Sequence, residues 1–241
     1  MLTAQLVGYE TLRGRKVSLQ RVGVEHAQFL HDCYQNHDFM HLYRLAQNRT
    51  ETVTQIHARL LENSRHTPEQ LRKFEWVVHK NLPDGELGEA IGLAAVADYM
   101  KGHRRGEFLI GIVDDAERKR GISLEITLLV LDFAFNHLRL NKLLMLVYEH
   151  NVFAHTNAIK FGFKAEGFFA EHVHYPDLGF VGMYQDAFLA KDFYQNKRIQ
   201  RWSNHFLGRD ITAKLVKPQQ LSVEEIQQVN QKLQDYLTAS T

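Results

Sequence analysis

The sequence predicts a mixed α/β fold in which helices flank a mostly antiparallel sheet. Segments 74–80, 90–100 and 107–114 read as strands joined by short turns, which is typical of an antiparallel meander. A long apolar helix over 124–139 connects the last of these strands to the continuous apolar segment 142–148, in the order of a β-loop-α-β unit. The meander and this unit together indicate one sheet that contains both kinds of strand pairing.

The N-terminal part of the chain adds a strand and two helices. Residues 15–22 alternate between apolar and polar side chains, which predicts a strand. Apolar residues at helical spacing predict helices over 25–36 and 52–63. The polar segment 64–73 contains Pro68 and is predicted to be a loop.

The C-terminal part begins with a short helix over 152–161, which Gly162 is expected to end. Segments 163–175 and 183–191 then read as two further strands. These elements complete the predicted sheet.

The pattern becomes amphipathic and helical after residue 191. One helix is expected near 193–206, and a second follows Pro218, where Ser222 and Glu225 have capping-box spacing. We therefore predict a main domain over residues 1–191 and a C-terminal helical extension over 192–241. The apolar side of the extension packs on the main domain or on a second copy, so a homodimer through these helices is one expectation.

Composition limits the functional class. The chain has 241 residues and a net charge of +1, whereas nucleic-acid-binding proteins are usually strongly basic. The single cysteine, Cys33, precludes an intrachain disulfide and fits a reducing compartment. No uncharged apolar run reaches the roughly 18 residues of a membrane span. We expect a cytoplasmic protein with neither nucleic-acid nor membrane partners.

A basic loop precedes the long helix. Residues 117–123 read Glu-Arg-Lys-Arg-Gly-Ile-Ser, and the N-terminus of the helix behind them offers unpaired N–H groups to an anion. Gly121 would let a phosphate approach the backbone, while Arg118, Lys119 and Arg120 add positive charge. The three-glycine dinucleotide motif and the P-loop are both absent from this loop. On these residues alone, a solvated basic turn is the alternative to a phosphate site.

Four features of the sequence carry a resemblance to a known family. The Arg-x-x-Gly-x-Ser pattern at 118–123 resembles the pyrophosphate motif of the GNAT N-acetyltransferases. Asn151, followed 11 residues later by Gly162-Phe163 and then Glu166-Gly167, resembles a second segment of that family. Segments 12–22 and 184–194 resemble the opening and closing strands of the branch that acetylates ribosomal-protein N-termini and small amines.

The resemblance implies an acetyl-CoA-dependent enzyme that transfers the acetyl group directly to a primary amine. The acceptor would be a protein N-terminus, an amino sugar, a polyamine or an amino acid. The expected cofactor-binding residues lie on the strand 107–114, in the basic loop and after the central strand. They are Ile110, Ile112, Val113, Arg118, Lys119, Arg120, Gly121, Ile122, Ser123 and Asn151. The alternatives are a transferase for a longer acyl chain and a CoA-binding regulatory or scaffold protein without catalysis.

Proton transfer is less well defined by the resemblance. Glu107, Glu171 and His174 are the candidate catalytic residues, and regular strand alternation would place Glu171 opposite His172 and His174. The family positions that usually supply a proton donor are occupied by Ala154 and Ala158. Tyr148, His150 and His155 are the nearby replacements.

Two further groups of residues were weighed as sites. His37 and His41 have the i, i+4 spacing of metal ligands on a helix, with Asp38 between them, but no third ligand follows at motif spacing. No metal is therefore predicted, and these residues are read as a solvated helix end that borders the acceptor cleft. Cys33 lies within a predicted helix and is not expected to act as a nucleophile, because transfer in the family is direct.

Overall fold

The computed structural model describes residues 9–43, 50–113, 121–175 and 178–213. The strands within these ranges are β1 (Thr11–Arg13), β2 (Val17–Arg21), β3 (Phe74–Asn81), β4 (Leu87–Met100), β5 (Arg105–Ile112), β6 (Lys142–Tyr148), β7 (Lys164–Tyr175) and β8 (Gly179–Leu189). They form one eight-stranded sheet in the order β1-β2-β3-β4-β5-β6-β8-β7. Every neighbouring pair is antiparallel except β5 and β6, so the predicted mixed, mostly antiparallel sheet is confirmed.

Helices cover both faces of the sheet. In chain order they are α1 (Ala27–Gln35), α2 (His37–Met40), α3 (Val53–Asn63), α4 (Pro68–Leu71), α5 (Ile122–Asp132), α6 (Val152–Phe161), α7 (Ala190–Tyr194) and α8 (Lys197–Leu207). A π-helical turn, Phe133–His137, continues α5. The β5-α5-β6 order is the β-loop-α-β unit that the sequence predicts.

Two hydrophobic cores form because successive side chains of a strand point to opposite faces. In β3, Phe74, Trp76 and Val78 belong to the core shared with α5, α6 and α8. Val77, between them, belongs to the core under α1 and α3. The sheet therefore has an α5–α6 face and an α1–α3 face, and a ligand that passes through it would meet a different set of side chains on each.

A buried carboxylate fixes α5 to the N-terminal strands. Glu125 lies in the first turn of α5 and is almost fully buried, and its Oε1 accepts a hydrogen bond of 2.8 Å from the backbone N–H of Lys16. This contact helps to set where the N-terminus of α5 lies relative to β5.

One part of the sequence prediction is wrong. Segment 64–73 is not all loop, because α4 occupies four of its residues. Pro68 stands at the first helical position, where its missing N–H would have no partner in any case, and Thr67 caps the helix by accepting from the N–H of Gln70 at 3.3 Å. Proline therefore starts a helix here instead of excluding one.

The C-terminal extension begins as two helices where the sequence suggests one. Asn196 interrupts the pattern and caps α8 by accepting from the N–H groups of Arg198 and Ile199. The predicted helix after Pro218 lies outside the described residues. In the part of the chain that the structure describes, no helix is both long and apolar enough to cross a membrane.

Candidate functional site

The parallel pair at the centre of the sheet separates partway along its length. β5 and β6 pair only at Arg105–Lys142, Gly106–Leu143 and Glu107–Leu144. Beyond that point β5 stays paired with β4 up to Ile112, and β6 stays paired with β8 up to Tyr148. The carboxyl ends of the two strands therefore diverge and leave a gap in the sheet, here called the β5–β6 opening.

A cavity of about 350 Å³, the main cavity, lies at this opening. The diverging strands form its floor, α5 and α6 form its walls, and Phe39, Leu42 and Tyr43 border it from the α1–α3 side. Its lining includes Ile110, Ile112, Ser123, Met145, Asn151 and Ala154. A smaller cavity of about 50 Å³, lined by Tyr148 and Ala154 among others, lies beside it.

The backbone of β5 is oriented to bind an extended ligand. The N–H of Val113 donates to Ile91 of β4 at 2.9 Å, so this amide is committed to the sheet. Backbone groups alternate in direction along a strand, and those of Ile110 and Ile112 therefore point towards the opening. Of the three predicted backbone contacts, Ile110 and Ile112 face the opening, whereas the amide of Val113 is directed away from it.

The N-terminus of α5 also borders the main cavity. Gly121 caps this helix with a left-handed φ of +76°; among the described residues no side chain caps the helix, and none has an atom within 4 Å of a Cβ at Gly121. The first N–H groups of the helix, beginning with Ile122 and Ser123, are thus approachable by an anion. The predicted cations Arg118, Lys119 and Arg120 lie outside the described residues.

Asn151 is the N-cap of α6 and lines both cavities. Its side-chain oxygen accepts from the N–H of Ala154 at 3.2 Å, which leaves the two amide N–H donors as its remaining hydrogen-bonding groups. The α6 cap and a ligand contact can therefore come from the same side chain.

Glu107 is the last β5 residue that pairs with β6 before the strands diverge. Its side chain is only 2% exposed, and it lies on the α1–α3 face, as its neighbour Leu109 does two residues on. Burial raises the pKa of Tyr43 well above its ordinary value, with smaller contributions from Glu75 and Glu107. Glu107 thus places a carboxylate at the base of the opening, on the face opposite α5 and α6.

Glu171 and His174 lie elsewhere, on β7 at the outer edge of the sheet. Both are exposed, and neither is among the residues that line the two cavities. The β7–β8 register shifts between Phe169 and Val173, and Glu171 has a left-handed φ of +49°. This irregularity interrupts the strand alternation on which the sequence argument about Glu171 and the histidines depends.

A ring cluster on the α1–α3 face was only partly foreseen. His150 packs against His41, Tyr148 and Tyr175, with ring centroids 4.6 to 5.5 Å apart. The Tyr175 hydroxyl donates to the backbone carbonyl of His41 at 2.8 Å. Burial lowers the pKa of His150, His41 lowers it further, and the nearby His41 backbone and Glu149 partly offset the shift. Neutral His150 is therefore favoured in the folded protein.

His155 is paired away from the opening. Its Nδ1 lies 2.8 Å from Oδ2 of the buried Asp186 on β8, and its ring stacks on Tyr184 with centroids 4.2 Å apart. Burial raises the pKa of Asp186, and the His155 contact partly offsets that shift.

Among the described residues there is no group of three histidine, cysteine, aspartate or glutamate side chains that could hold a metal ion, at His37, Asp38 and His41 or elsewhere.

Comparisons with known proteins give a family match and structures of similar fold. The acetyltransferase (GNAT) domain family matches residues 16–164, more than half of the chain. The structure of spermidine N-acetyltransferase from Vibrio cholerae in complex with CoA and spermine is similar, with 20% identity, a TM-score of 0.63 and coverage of 75% of this chain and 99% of that one. The dodecameric structure of spermidine N-acetyltransferase from Vibrio cholerae has 18% identity, a TM-score of 0.61 and coverage of 76% and 98%. Identity at this level shows a shared fold. A sequence search of curated proteins gives no match.

Proposed function

Because the chain belongs to the acetyltransferase (GNAT) family and is an acetyl-CoA-dependent N-acetyltransferase, we propose that its acceptor is a small primary amine that enters from the α1–α3 face. The observation that carries this proposal is the β5–β6 opening. It lies between a cavity walled by α5 and α6 on one face and Glu107, a buried carboxylate that lines neither cavity, on the other. The donor and the acceptor can thus meet through the sheet.

The residues around the main cavity fit an extended acyl carrier that ends in a pyrophosphate. The backbone groups of Ile110 would bind the amide-containing arm, with Asn151 donating from the other side. The N-terminus of α5 at Gly121, Ile122 and Ser123 would hold the pyrophosphate, where the helix dipole and open N–H groups favour an anion. Arg118, Lys119 and Arg120 precede this terminus in the sequence and would add charge.

Acetyl-CoA supplies the acetyl group as a thioester: the amine nitrogen bonds to the acetyl carbon, the carbon–sulfur bond breaks, and CoA leaves as a thiol. The amine must lose a proton to attack, and we assign that proton to Glu107, whose carboxylate lies at the base of the opening. Glu171 and His174 remain the alternative proton acceptors, on the edge strand.

The thiolate needs a proton, and both usual donor positions are alanines that line the main cavity. We assign this role to Tyr148, because it lines the small cavity together with Ala154. His155 is held by Asp186, and burial and His41 lower the pKa of His150, so that its ring is less able to hold a proton to donate. A phenol is protonated at neutral pH and can therefore donate.

We propose two classes of acceptor amine, in the order in which they should be tested. The structural neighbours act on spermidine, which makes a polyamine the first acceptor to test. The resemblance of segments 12–22 and 184–194 to the ribosomal-protein branch makes a protein N-terminus the second acceptor to test.

The dodecameric neighbour also supports self-association of this chain, for which we propose the C-terminal extension as the contact. Light scattering on the full chain measures the mass of the assembly.

The experiment measures thiol release from acetyl-CoA with spermidine, an N-terminal peptide, an amino sugar and an amino acid. Turnover with any of them is expected, and CoA is expected to raise the melting temperature. Stabilisation by CoA without turnover on the whole panel would instead favour the scaffold alternative. Propionyl- and butyryl-CoA test the longer-acyl alternative in the same assay.

The donor site has its own matched control. Gly121→Glu should abolish the CoA effect, because it places a carboxylate at the anion site. Gly85→Glu strains a glycine of similar conformation (φ +86°) in the β3–β4 turn, also with no atom within 4 Å of a Cβ, and should leave CoA binding unchanged. CoA binding that survives Gly121→Glu would remove the assignment of the pyrophosphate to this helix.

A further inference from the structure

Phe153 is an exposed aromatic residue at the rim of the main cavity. It lies in the first turn of α6, two residues after the cap Asn151, and 72% of its surface is exposed. It also contributes to the cavity lining. The adjacent Val152 is 61% exposed, and neighbouring exposed apolar side chains at a ligand cavity form a candidate binding surface.

The rest of α6 explains why the ring is at the rim. Ala154, Asn157, Ala158 and Phe161 line the same cavity from the same helix, and Ala158 is buried. On the helical wheel Phe153 stands at the outer limit of this stripe. Its ring therefore borders both the cavity and solvent and takes no part in either hydrophobic core.

Phe153 also differs from the other exposed phenylalanines. Phe168 packs against Tyr184 with centroids 5.0 Å apart, and Phe180 packs against His174 at 5.1 Å. Within the ranges that the structure describes, no aromatic ring packs against Phe153. Its ring is thus largely exposed and is not already stacked on another described ring.

Acetyl-CoA carries a planar group that can stack on such a ring, at the end of the molecule remote from its thioester. If the pyrophosphate binds at the N-terminus of α5, the arm extends inward to the β5–β6 opening and the nucleotide end remains outside, at the cavity rim. Ser123 of that N-terminus and Phe153 line the same cavity from opposite walls. The nucleotide base is the only aromatic group of CoA, and bases stack readily on exposed aromatic side chains.

We propose that Phe153 is a stacking platform for the adenine base of acetyl-CoA, and that it makes the enzyme favour the nucleotide-bearing donor over a phosphopantetheine thioester. This inference rests on the proposed donor site, which it extends from the pyrophosphate to the base.

The test compares binding of CoA and of 4′-phosphopantetheine by calorimetry, so it needs no knowledge of the amine. Phe153→Ala should weaken CoA binding roughly 5- to 100-fold, the effect expected for one lost base–aromatic stack, and leave phosphopantetheine binding unchanged. Phe153→Trp should retain CoA affinity, because it keeps an aromatic platform. Phe180→Ala, which removes a ring that is 64% exposed and outside the lining of the main cavity, should affect neither ligand.

Three other results would overturn the proposal. Equal weakening of both ligands by Phe153→Ala would place the contact on the pantetheine arm. An unchanged CoA affinity in Phe153→Ala would mean that the ring does not contact the donor. Failure of the unsubstituted protein to bind CoA would remove the donor site itself and the platform with it, and this result is distinct from the first two.

Discussion

His155 and Asp186 join α6 to β8 through an imidazole–carboxylate contact of 2.8 Å, in which the carboxylate is fully buried. The contact lies on the α5–α6 face of the sheet, beneath a helix that contributes Asn151, Ala154 and Ala158 to the cavity wall. It therefore fixes the position of that wall. The same pair makes the stability of the protein depend on pH.

Asp186→Asn should change how stability varies with pH. Burial raises the pKa of Asp186, so the native state holds this proton at a higher pH than the unfolded chain does. Stability from this group is then present at low pH and is lost as pH rises from about 4 through the raised pKa. The free energy of unfolding in urea, measured from acid to neutral pH, should shift in favour of the variant as pH rises. A constant difference would contradict this.

His150→Phe tests a pH dependence of stability opposite in sign to that of Asp186. Burial and His41 lower the pKa of His150, so the unfolded chain takes up the proton first as the solution is acidified. Stability from His150 is complete above about pH 6.5 and is lost below it. Phenylalanine keeps the ring among His41, Tyr148 and Tyr175 without titrating, and the variant should lose less stability between pH 7 and pH 5. His103→Phe, in the exposed β4–β5 turn, controls for the loss of one histidine.

Gly111→Ala should disturb the site by overpacking. A Cβ at Gly111 would lie 2.6 Å from Cε2 of Phe39 and 2.8 Å from Cδ2 of Tyr43, two residues of the cavity lining. A cost of about 1–3 kcal/mol is expected, with weaker CoA binding, because both rings must move. Gly102→Ala, where a Cβ meets no atom within 4 Å, is the matched control in thermal unfolding. Equal behaviour of the two variants would mean that Phe39 and Tyr43 yield without cost.

Glu107→Gln should lower kcat by about 10²-fold or more while leaving CoA binding intact, if this carboxylate accepts the amine proton. The same change at Glu171, and His174→Gln, should have little effect, because both side chains lie on the exposed edge strand outside the cavity lining. Initial rates with an active amine, measured from pH 6 to pH 9, separate the three variants. A loss confined to Glu171 or His174 would move the proton acceptor to β7.

Several elements follow from local sequence because their determinants are local. The helix over 52–63 is confirmed as α3, and Thr52 forms the capping box with Gln55. The helix over 152–161 ends at Gly162, whose φ of +115° is readily available only to glycine. The meander β3-β4-β5 and the parallel β5–β6 pair are also confirmed. α4 departs from the sequence prediction because Pro68 occupies the first helical position, where proline starts a helix and does not break it.

By itself, the sequence determined the order of the strands from β2 to β8 and of the longer helices, the glycine at the start of α5 and the GNAT family to which the chain belongs. Each of these depends on residues close together in the chain or on short motifs. Only the tertiary structure decided that β5 and β6 part after Glu107, and that His41, His150 and Tyr175 form one cluster. It also decided that the ring of Phe153 stands at the cavity rim. The physical reason is that strand divergence and contacts between distant residues arise from packing across the whole sheet. Local sequence periodicity carries no information about that packing.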